Sequence, residues 1–374
     1  MIMKHRTWLE IDKSAINHNL KEIRKIVSDK VKLMAVVKSN AYGHGIVEIA
    51  KIAVNSGVDW LGTDSLIEAL LLRKAVAAPI LVMGYILKEN LIEAIENDIS
   101  LVVYNKGTIE KLALLKKPAK IHIKIETGTS RQGIYPDELA DFIKLVKKSP
   151  KIQIEGIYTH FANIEDTTDH TFAKEQLKKF NKALEIAKIE NIKIMAHTAC
   201  SAAAVLYPKT HFDMVRLGIS MYGYWSSLQT FVSAQNLKRT INLKPALLWK
   251  TRIAQIKNVK AGTSVGYGLI EKLSQDTKIA IIPVGYWDGY DRKLSSIGNV
   301  LIDGKRCKII GRICMNMFMV NINHIPGVKV ENEVVLIGKQ GKEEIKVEEI
   351  AQKINTINYE VIARINPLIP RVYI

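Results

Sequence analysis

The feature that most constrains the fold is a series of eight short apolar runs in the first 220 residues, separated by segments with helical spacing. The runs are "LMAVV" (33–37), "VDWLGT" (58–63), "PILVMG" (79–84), "ISLVVY" (99–104), "KIHIKI" (120–125), "IQIEGIYTH" (152–160), "IKIMAHT" (192–198) and "DMVRLG" (213–218). Continuous rather than alternating hydrophobicity is typical of parallel strands that are buried on both faces. Eight strand–helix units in about 220 residues predict a (β/α)8 TIM-type barrel. An open, doubly wound sheet is the alternative, and it would use fewer strands.

The segments between the runs are expected to be helices. In 169–190, for example, apolar side chains recur at helical spacing and are predicted to share one face: Phe172, Leu177, Phe180, Leu184 and Ala187.

The pattern changes near residue 225. "WSSLQTFVSAQNLKRT" (225–240) reads as a linker with a partial helix, and from residue 241 the segments are shorter and broken by Gly, Asp and Asn. Within them, "IDGK" (302–305) predicts a hairpin turn. We therefore predict an α/β barrel domain over 1–240 and a mostly β domain over 241–374. The first ~10 residues are expected to pair with the second domain.

The net charge of +17 raises the question of a nucleic-acid partner. The lysines are scattered, however, without the aromatic interleaving of a nucleic-acid surface, so we expect none. The positive field favours small anions instead, phosphates included.

Other classes are also disfavoured. No apolar run approaches the ~18 residues that span a bilayer. The N-terminal "MIMKHRTWLEIDK" lacks the apolar region of a signal peptide, which indicates a cytoplasmic location. The three cysteines, Cys200, Cys307 and Cys314, are odd in number and lack zinc spacing, so we expect neither disulfides nor a metal site.

Polar residues stand where five of the predicted barrel strands end, or in the loops beyond them: Lys38, Lys124, Arg131, His160, His197, Ser201, Arg216 and Gly218. In this fold the active site lies at the C-terminal ends of the strands. Each residue alone has an ordinary structural explanation, but their convergence on one face indicates a site.

The types of residue suggest a chemistry. A lysine at a barrel mouth can form a Schiff base with a substrate carbonyl or with pyridoxal 5'-phosphate (PLP). The loops after the last two strands often bind phosphate in this fold, and here they contain "CSAAA" and "RLGIS". Lysine and phosphate site together favour PLP, with a Schiff-base aldolase as the alternative.

Longer motifs make the prediction more specific. The chain contains "AVVKSNAYGHG", "KIETGTSRQG", "GIYTHFA", "HTACSAAA", "FDMVRLGISMYG", "SVGYG", "IPVGYWDGYDR", "GRICMN", "INYEV" and "IPRVY". In this order they resemble the alanine racemases, PLP enzymes of fold type III that consist of a barrel and a β domain. The resemblance covers nearly the whole chain and implies the interconversion of L- and D-alanine, which supplies D-alanine for peptidoglycan.

The resemblance also implies roles for single residues. Lys38 matches the lysine that carries PLP, and the other cofactor contacts match Tyr42, His160, Ser201, Arg216, Gly218, Ile219 and Tyr359. Arg131 and Met315 match residues that bind the substrate carboxylate. Lys124 matches a lysine that is often carboxylated and orients the arginine of the next loop.

Racemisation removes the α-proton from one face and returns it on the other, which calls for two bases. The resemblance assigns these roles to Lys38 and Tyr267. In the family the tyrosine comes from the partner subunit, so a homodimer with shared sites is implied. Arg216 matches the arginine that faces the pyridine nitrogen, where a cation disfavours protonation and suppresses transamination.

The sequence departs from the family pattern at a few positions. The common "DTGMGR" is "ETGTSR" here, with Glu126, Thr129 and Ser130. Cys200 replaces the usual Asn, and Asn316 replaces the usual Asp. The loss of that Asp leaves open a preference for serine or for several small amino acids.

Two other classes of protein share the PLP-binding barrel. A non-catalytic PLP-binding barrel would usually lack the β domain, and a PLP decarboxylase would show its own motifs. Outside the motifs, we expect His44 to make a structural hydrogen bond, and Glu271 and Asn299 to be surface residues.

Overall fold

The computed structural model describes residues 5–239 and 241–374, and the chain divides into two compact units. The barrel unit consists of residues 15–41 and 46–245. The C-terminal unit consists of 246–374 together with the residues before Ala15 and the short segment Tyr42–Gly45. The predicted boundary after residue 240 lies slightly before this division at Pro245. Within the described ranges, every helix is too short or too polar to span a bilayer.

The barrel unit contains one sheet of eight parallel strands. In chain order they are β2 (Lys32–Val36), β3 (Trp60–Thr63), β4 (Ile80–Val82), β5 (Ile99–Val103), β6 (Ala119–Lys124), β7 (Ile152–Tyr158), β8 (Met195–His197) and β9 (Met214–Leu217). The sheet order is β8-β7-β6-β5-β4-β3-β2-β9. Two backbone bonds join the ends of the sheet: Asp213 N donates to Ala196 O (3.0 Å), and Arg216 N donates to Ala199 O (2.9 Å). The predicted barrel, with all eight strands, is therefore confirmed.

The strands and helices of this unit follow the expected physical pattern. Every residue of β3 and β5 is buried, as continuous apolar runs require between two covered faces. The helices are α1 (Lys13–Ile26), α3 (Ile46–Asn55), α4 (Leu66–Arg73), α5 (Leu91–Glu96), α6 (Lys106–Leu115), α7 (Leu139–Lys147), α8 (Thr171–Ile189), α9 (Ser201–Leu206) and α10 (Leu228–Asn236). A single turn, α2 (Lys38–Tyr42), follows β2.

The helix predicted over 169–190 is α8, but its buried face differs from the prediction. Phe180 and Ala187 are buried as expected, whereas Phe172 is 42% exposed. Phe172 lies in the first turn, and a Cβ on Gly128 would lie 2.7 Å from its ring. The contact is with a loop rather than with the core, which helical spacing alone does not reveal.

The C-terminal unit is mostly β, as predicted. Its strands are β1 (Thr7–Ile11), β10 (Leu247–Arg252), β11 (Gln255–Val259), β12 (Ser264–Val265), β13 (Glu271–Lys272), β14 (Thr277–Ile282), β15 (Asn299–Ile302), β16 (Lys305–Ile310), β17 (Phe318–Asn321), β18 (Glu333–Gln340), β19 (Glu343–Ile345) and β20 (Arg371–Tyr373). Two helices, α11 (Val347–Ile354) and α12 (Asn358–Ala363), precede β20. The N-terminal strand β1 pairs with β10 and β20 in this unit.

Local sequence explains this unit as well. Strand β10 alternates buried with half-buried residues, the pattern of an antiparallel strand with one covered face. Trp249 of β10 packs edge-on against Tyr290, whose ring stacks on Phe318 at 5.0 Å between centroids. The predicted hairpin joins β15 to β16 through Asp303 and Gly304, whose φ angles of 50° and 67° suit a type I′ turn.

Candidate active site

The turn that follows β2 has a strained backbone. Ser39, Asn40, Ala41 and Tyr42 all have φ between 52° and 54°, in the left-handed region. Each such residue costs about 1–2 kcal/mol relative to the right-handed form, so the turn persists only because other contacts hold it. Asn40 provides two of them: its Oδ1 accepts from Ile46 N (2.9 Å), and its N donates to Glu68 Oε1 (3.1 Å). Strain held in this way is a signature of functional turns.

Lys38 begins this turn at the C-terminal end of β2. Its side chain is 41% exposed, and Nζ lies 3.9 Å from Asp64 Oδ1. The amine is therefore accessible at the barrel mouth and loosely paired with one carboxylate.

Arg216, on β9, is the most firmly held side chain of the site. Nη1 donates to His197 Nδ1 (2.9 Å) and His197 O (3.0 Å), while Nη2 donates to Thr159 O (2.8 Å) and Thr198 O (2.9 Å). His160 Nδ1 lies 3.3 Å from Nη2. A guanidinium has five N–H donors, and among the described residues the Nε–H of Arg216 has no partner. The protein thus fixes this cation and leaves one donor for a ligand.

Four cations, which we call the mouth cations, belong to the barrel unit: Lys38, Lys124, Arg131 and Arg216. Burial, and then the charges of all four, lower the pKa of His160 to about 3. His160 is therefore neutral at pH 7. The shared effect on one imidazole shows that these cations act on the same region, which favours an anionic ligand there.

Lys124 ends β6 and is almost completely buried. Burial, followed by the charges of Arg131 and Arg216, lowers the pKa of its amine to about 8. Nζ donates to Gln132 Oε1 (3.0 Å), and Gln132 Nε2 donates to Tyr104 Oη (3.1 Å). About a tenth of Lys124 is therefore uncharged at pH 7, far more than of an ordinary lysine.

The loop that carries Arg131 contains three departures from the family pattern, and the structure relates them. Glu126 accepts from Gly128 N, from Thr129 Oγ1 (3.0 Å) and from Arg131 N (3.1 Å). Burial raises the pKa of Glu126, but these hydrogen bonds outweigh burial and lower the pKa overall. Glu126 and Thr129 thus form one bonded unit, while Ser130 adopts a φ of 50°, which the family's glycine would reach without strain.

Ser201 lies at the start of α9, where the loop after β8 meets the loop after β9. Its Oγ accepts from Gly218 N (3.0 Å) and Ser220 N (3.4 Å), and Ile219 starts a short 3-10 turn. Cys200 precedes α9 and makes no side-chain cap, and burial raises the pKa of its thiol. The predicted phosphate loops are thus joined through one hydroxyl.

Other predicted residues belong to the C-terminal unit. The rings of Tyr42 and Tyr359 lie 6.1 Å apart. Gly43 has φ +83°, and a Cβ there would lie 2.2 Å from Ile362 O, so only glycine fits. His44 Nδ1 donates to Tyr42 O (2.9 Å), which confirms the structural hydrogen bond expected for His44.

Tyr267 lies at the tip of the short β12–β13 hairpin and is 70% exposed. Glu271, at the start of β13, accepts from Gly311 N (2.7 Å) and from Ser296 Oγ. The prediction that Glu271 is a plain surface residue is therefore wrong, because its carboxylate anchors the hairpin that presents Tyr267.

Met315 follows a loop next to this hairpin. A Cβ on Gly268 would lie 2.6 Å from Arg312 Nη1, so the two segments are adjacent. Met315 O accepts from Trp287 N (3.0 Å). The hairpin and the loop present exposed apolar side chains, which we call the Tyr267 face: Tyr267, Leu269, Ile270, Met315 and Met317.

Sequence reasoning gave no role to Tyr158 or His122. The Tyr158 ring stacks on His197 at 4.7 Å between centroids, and Arg216 lies 5.2 Å from its centre. Burial raises the pKa of Tyr158, and among the described residues its Oη has no hydrogen-bond partner. His122 stands inside the apolar run of β6 and is fully buried. A polar residue inside a buried strand needs a buried partner, and this signal could have identified it.

The fold and these side chains define a class of protein: a (β/α)8 barrel whose mouth sets an accessible lysine among arginines, followed by a β unit. Family models described as alanine racemase, N-terminal domain, and alanine racemase, C-terminal domain, match residues 11–226 and 246–373. The chain belongs to the alanine racemase family.

Known proteins support this assignment over the full length. The chain is 42% identical to an alanine racemase of Methanococcus maripaludis, with 100% of both chains covered. It resembles the crystal structure of alanine racemase from Bacillus anthracis with bound L-Ala-P, at 36% identity and a TM-score of 0.93, covering 100% of this chain and 96% of that one. A histidine racemase from Leuconostoc mesenteroides subsp. sake is also similar, at 26% identity, a TM-score of 0.87 and 99% and 98% coverage.

Proposed function

We propose that this protein interconverts L-alanine and D-alanine with PLP as its cofactor and two bases, Lys38 and Tyr267. The observation that carries the proposal is the mouth cations: four positive side chains act on one region, and one of them, Lys38, offers an accessible amine. The full-length likeness to alanine racemases supports the choice of substrate.

The residues present fit PLP by their chemistry. The cofactor carries a phosphate and a phenolic oxygen, and an excess of positive charge suits both. Lys38 would bind it covalently, Arg216 would offer its Nε–H to the ring nitrogen, and His160 would pack against the ring. The phosphate contacts would be Tyr42, Ser201, Gly218, Ile219 and Tyr359. When bound, PLP makes the Cα proton of an amino acid acidic.

The chain's own groups then set the outcome. Arg216 holds its charge through four carbonyl and imidazole acceptors, so an acceptor facing it stays unprotonated. This favours return of the proton to Cα over loss of the amino group. Arg131 and the backbone N–H of Met315 would hold the substrate carboxylate. Among the described residues that N–H has no partner.

Lys38 and Tyr267 would work on opposite faces of Cα, each taking up a proton in one direction and donating it in the other. Tyr267 is exposed at the tip of its hairpin, within the apolar Tyr267 face. Exposed apolar patches mark interaction surfaces. We therefore propose a homodimer in which Tyr267 of the partner subunit completes each site.

A mixed-subunit experiment tests the shared site. Lys38→Ala and Tyr267→Phe chains are co-expressed with different tags, and the heterodimer is purified. One of its two sites then has both bases, so racemisation should rise far above that of either parent homodimer. A heterodimer as inactive as its parents would show that each site draws both bases from one chain.

The central assay measures D-alanine formed from L-alanine with and without added PLP. Activity that depends on PLP supports the proposal, and cofactor binding without racemisation would support a carrier protein instead. Turnover of L-serine, and of L-histidine in view of the histidine racemase neighbour, is measured in parallel. A higher kcat/KM for either one than for L-alanine would reassign the substrate.

Lys124 is proposed as a candidate for carboxylation, because an uncharged amine is the form that reacts with CO2 and its pKa is about 8. Labelled bicarbonate should give a carbamate signal by NMR that is lost in Lys124→Ala.

The cytoplasmic location stays a prediction, supported by three free cysteines.

A further inference from the structure

A chain of buried polar side chains runs behind Arg216 inside the barrel unit. Arg216 Nη1 lies 2.9 Å from His197 Nδ1, and His197 Nε2 lies 3.0 Å from His122 Nδ1. Both histidines are fully buried. Burial is the largest influence and lowers the pKa of each imidazole, and the charge of Arg216 lowers it further. Glu155 raises the pKa of His122, but burial outweighs it, so both rings are neutral at pH 7.

The partners fix the direction of every bond in this chain. A guanidinium only donates, so His197 Nδ1 must accept from Arg216. A neutral imidazole has one donor and one acceptor, so the proton of His197 is on Nε2 and is donated to His122 Nδ1. By the same rule the proton of His122 is on Nε2, at the far end of the chain.

That last N–H faces Glu155. His122 Nε2 lies 3.7 Å from Glu155 Oε2, too far for a hydrogen bond, and among the described residues it has no hydrogen-bond partner. Glu155 Oε2 also accepts from Ser100 Oγ (2.6 Å). The contact with His122 is thus electrostatic: a carboxylate stands opposite the end of the chain that must offer a donor.

The pairing of β6 with β7 is irregular next to this contact. Ile121 pairs with Ile154 and His122 pairs with Gly156, so Glu155 is the extra residue of a β-bulge in β7. Bulges re-aim side chains. A Cβ on Gly156 would lie 2.3 Å from His122 Nδ1, so a glycine is required next to the bulge. The bulge, Gly156 and the Glu155 carboxylate together fix the position of the His122 imidazole.

We propose that Glu155 and His122 are positioning residues for Arg216. They hold His197 in the tautomer that accepts from Nη1, and so keep the guanidinium in the orientation whose Nε–H has no partner among the described residues. The consequence for racemisation rests on the proposed function, whereas the hydrogen-bond chain does not.

The hydrogen-bonded series from Arg216 through His197 to His122 is tested in the cofactor-free protein. The histidines are labelled with nitrogen-15, and NMR reports on their ring nitrogens. Both His122 and His197 should be neutral with the proton on Nε2 at pH 7. Glu155→Leu removes the carboxylate at similar volume and should shift the ring-nitrogen signals of both histidines. Glu185→Leu, the same change at an exposed position of α8, should shift neither.

Unchanged His197 signals in folded Glu155→Leu would overturn the proposal. If that variant does not fold, Glu155→Gln, which keeps an oxygen but no charge, takes its place. A shifted His122 signal then supports the proposal, and an unchanged one overturns it.

The PLP-loaded enzyme gives a second readout. Glu155→Leu should lower kcat by about tenfold, the lower end of what outer partners of ligand-binding histidines contribute, with little change in KM. If the NMR signals behave as predicted but the protein shows no racemase activity, only the proposed function would be refuted. If the enzyme racemises alanine but its His197 signals are the same in Glu155→Leu as in the native protein, only the positioning role would be refuted.

Discussion

The barrel mouth and the Tyr267 face carry the two proposed bases, but they are built in opposite ways. Around Arg216 every bond is made within one chain: the guanidinium is buried and gives four hydrogen bonds to protein acceptors. Tyr267 and its neighbours are exposed and apolar, at the end of a hairpin of two residues per strand. The part of the proposed site around Arg216 is thus held together by bonds within the barrel unit. The Tyr267 face instead has the exposed apolar character of an interaction surface.

The largest effect is expected at the barrel mouth, from Lys38→Ala. It removes the amine that would bind PLP and one of two bases, so racemisation should fall by about 10³-fold or more. Absorbance of the protein-bound cofactor should also disappear. Lys51→Ala, at an exposed lysine paired with Glu48, is the control and should change neither. Covalent cofactor in Lys38→Ala would place the anchor elsewhere.

Tyr267→Phe removes the phenol oxygen from the Tyr267 face. The loss of one acid–base group should cost about 10²–10⁴-fold, with the larger effect on proton exchange starting from L-alanine. Since the side chain is 70% exposed, thermal stability should be unchanged. Tyr135→Phe, at another exposed tyrosine, should keep full activity. Undiminished exchange in Tyr267→Phe would mean that the second base is elsewhere.

Gly43, in the turn after Lys38, can be compared with Gly57, which lies in a turn with open space around it. Gly43 and Gly57 have nearly equal φ, +83° and +85°, but a Cβ at Gly43 meets Ile362 O at 2.2 Å, whereas nothing lies within 4 Å at Gly57. Gly57→Ala should cost about 1 kcal/mol of unfolding free energy for the left-handed backbone alone. Gly43→Ala should cost about 2–4 kcal/mol, because a backbone clash is added. Equal midpoints in urea for both variants would mean that the turn is not held as the structure indicates.

The last effect concerns the dependence of stability on pH. The pKa of Lys124 is about 8 in the folded chain against 10.5 for an ordinary lysine. Between these values the unfolded chain binds more protons, so this residue makes the free energy of unfolding rise with pH in that window. Urea unfolding of the native protein and Lys124→Met between about pH 7 and 10.5 measures the difference. Parallel curves would show that the buried amine keeps its ordinary pKa.

Much of the barrel half was readable from the sequence. Eight continuous apolar runs specify parallel strands, and the strand ends then place Lys38, Lys124, His160 and Arg216 at one mouth. The roles of Tyr267 and Met315 came only from motif resemblance, because nothing local distinguishes an exposed tyrosine that reacts from one that does not.

What the sequence determined by itself is the set of strands and the chemical types at their ends, since both follow from local patterns of apolar and polar residues. The tertiary structure alone decided the left-handed turn after Lys38 and the pKa of Lys124. It also decided the alignment of Arg216, His197, His122 and Glu155. These depend on burial and on partners that are distant in the chain: the register of β6 against β7, including one bulged residue, brings a carboxylate to a histidine more than thirty positions away.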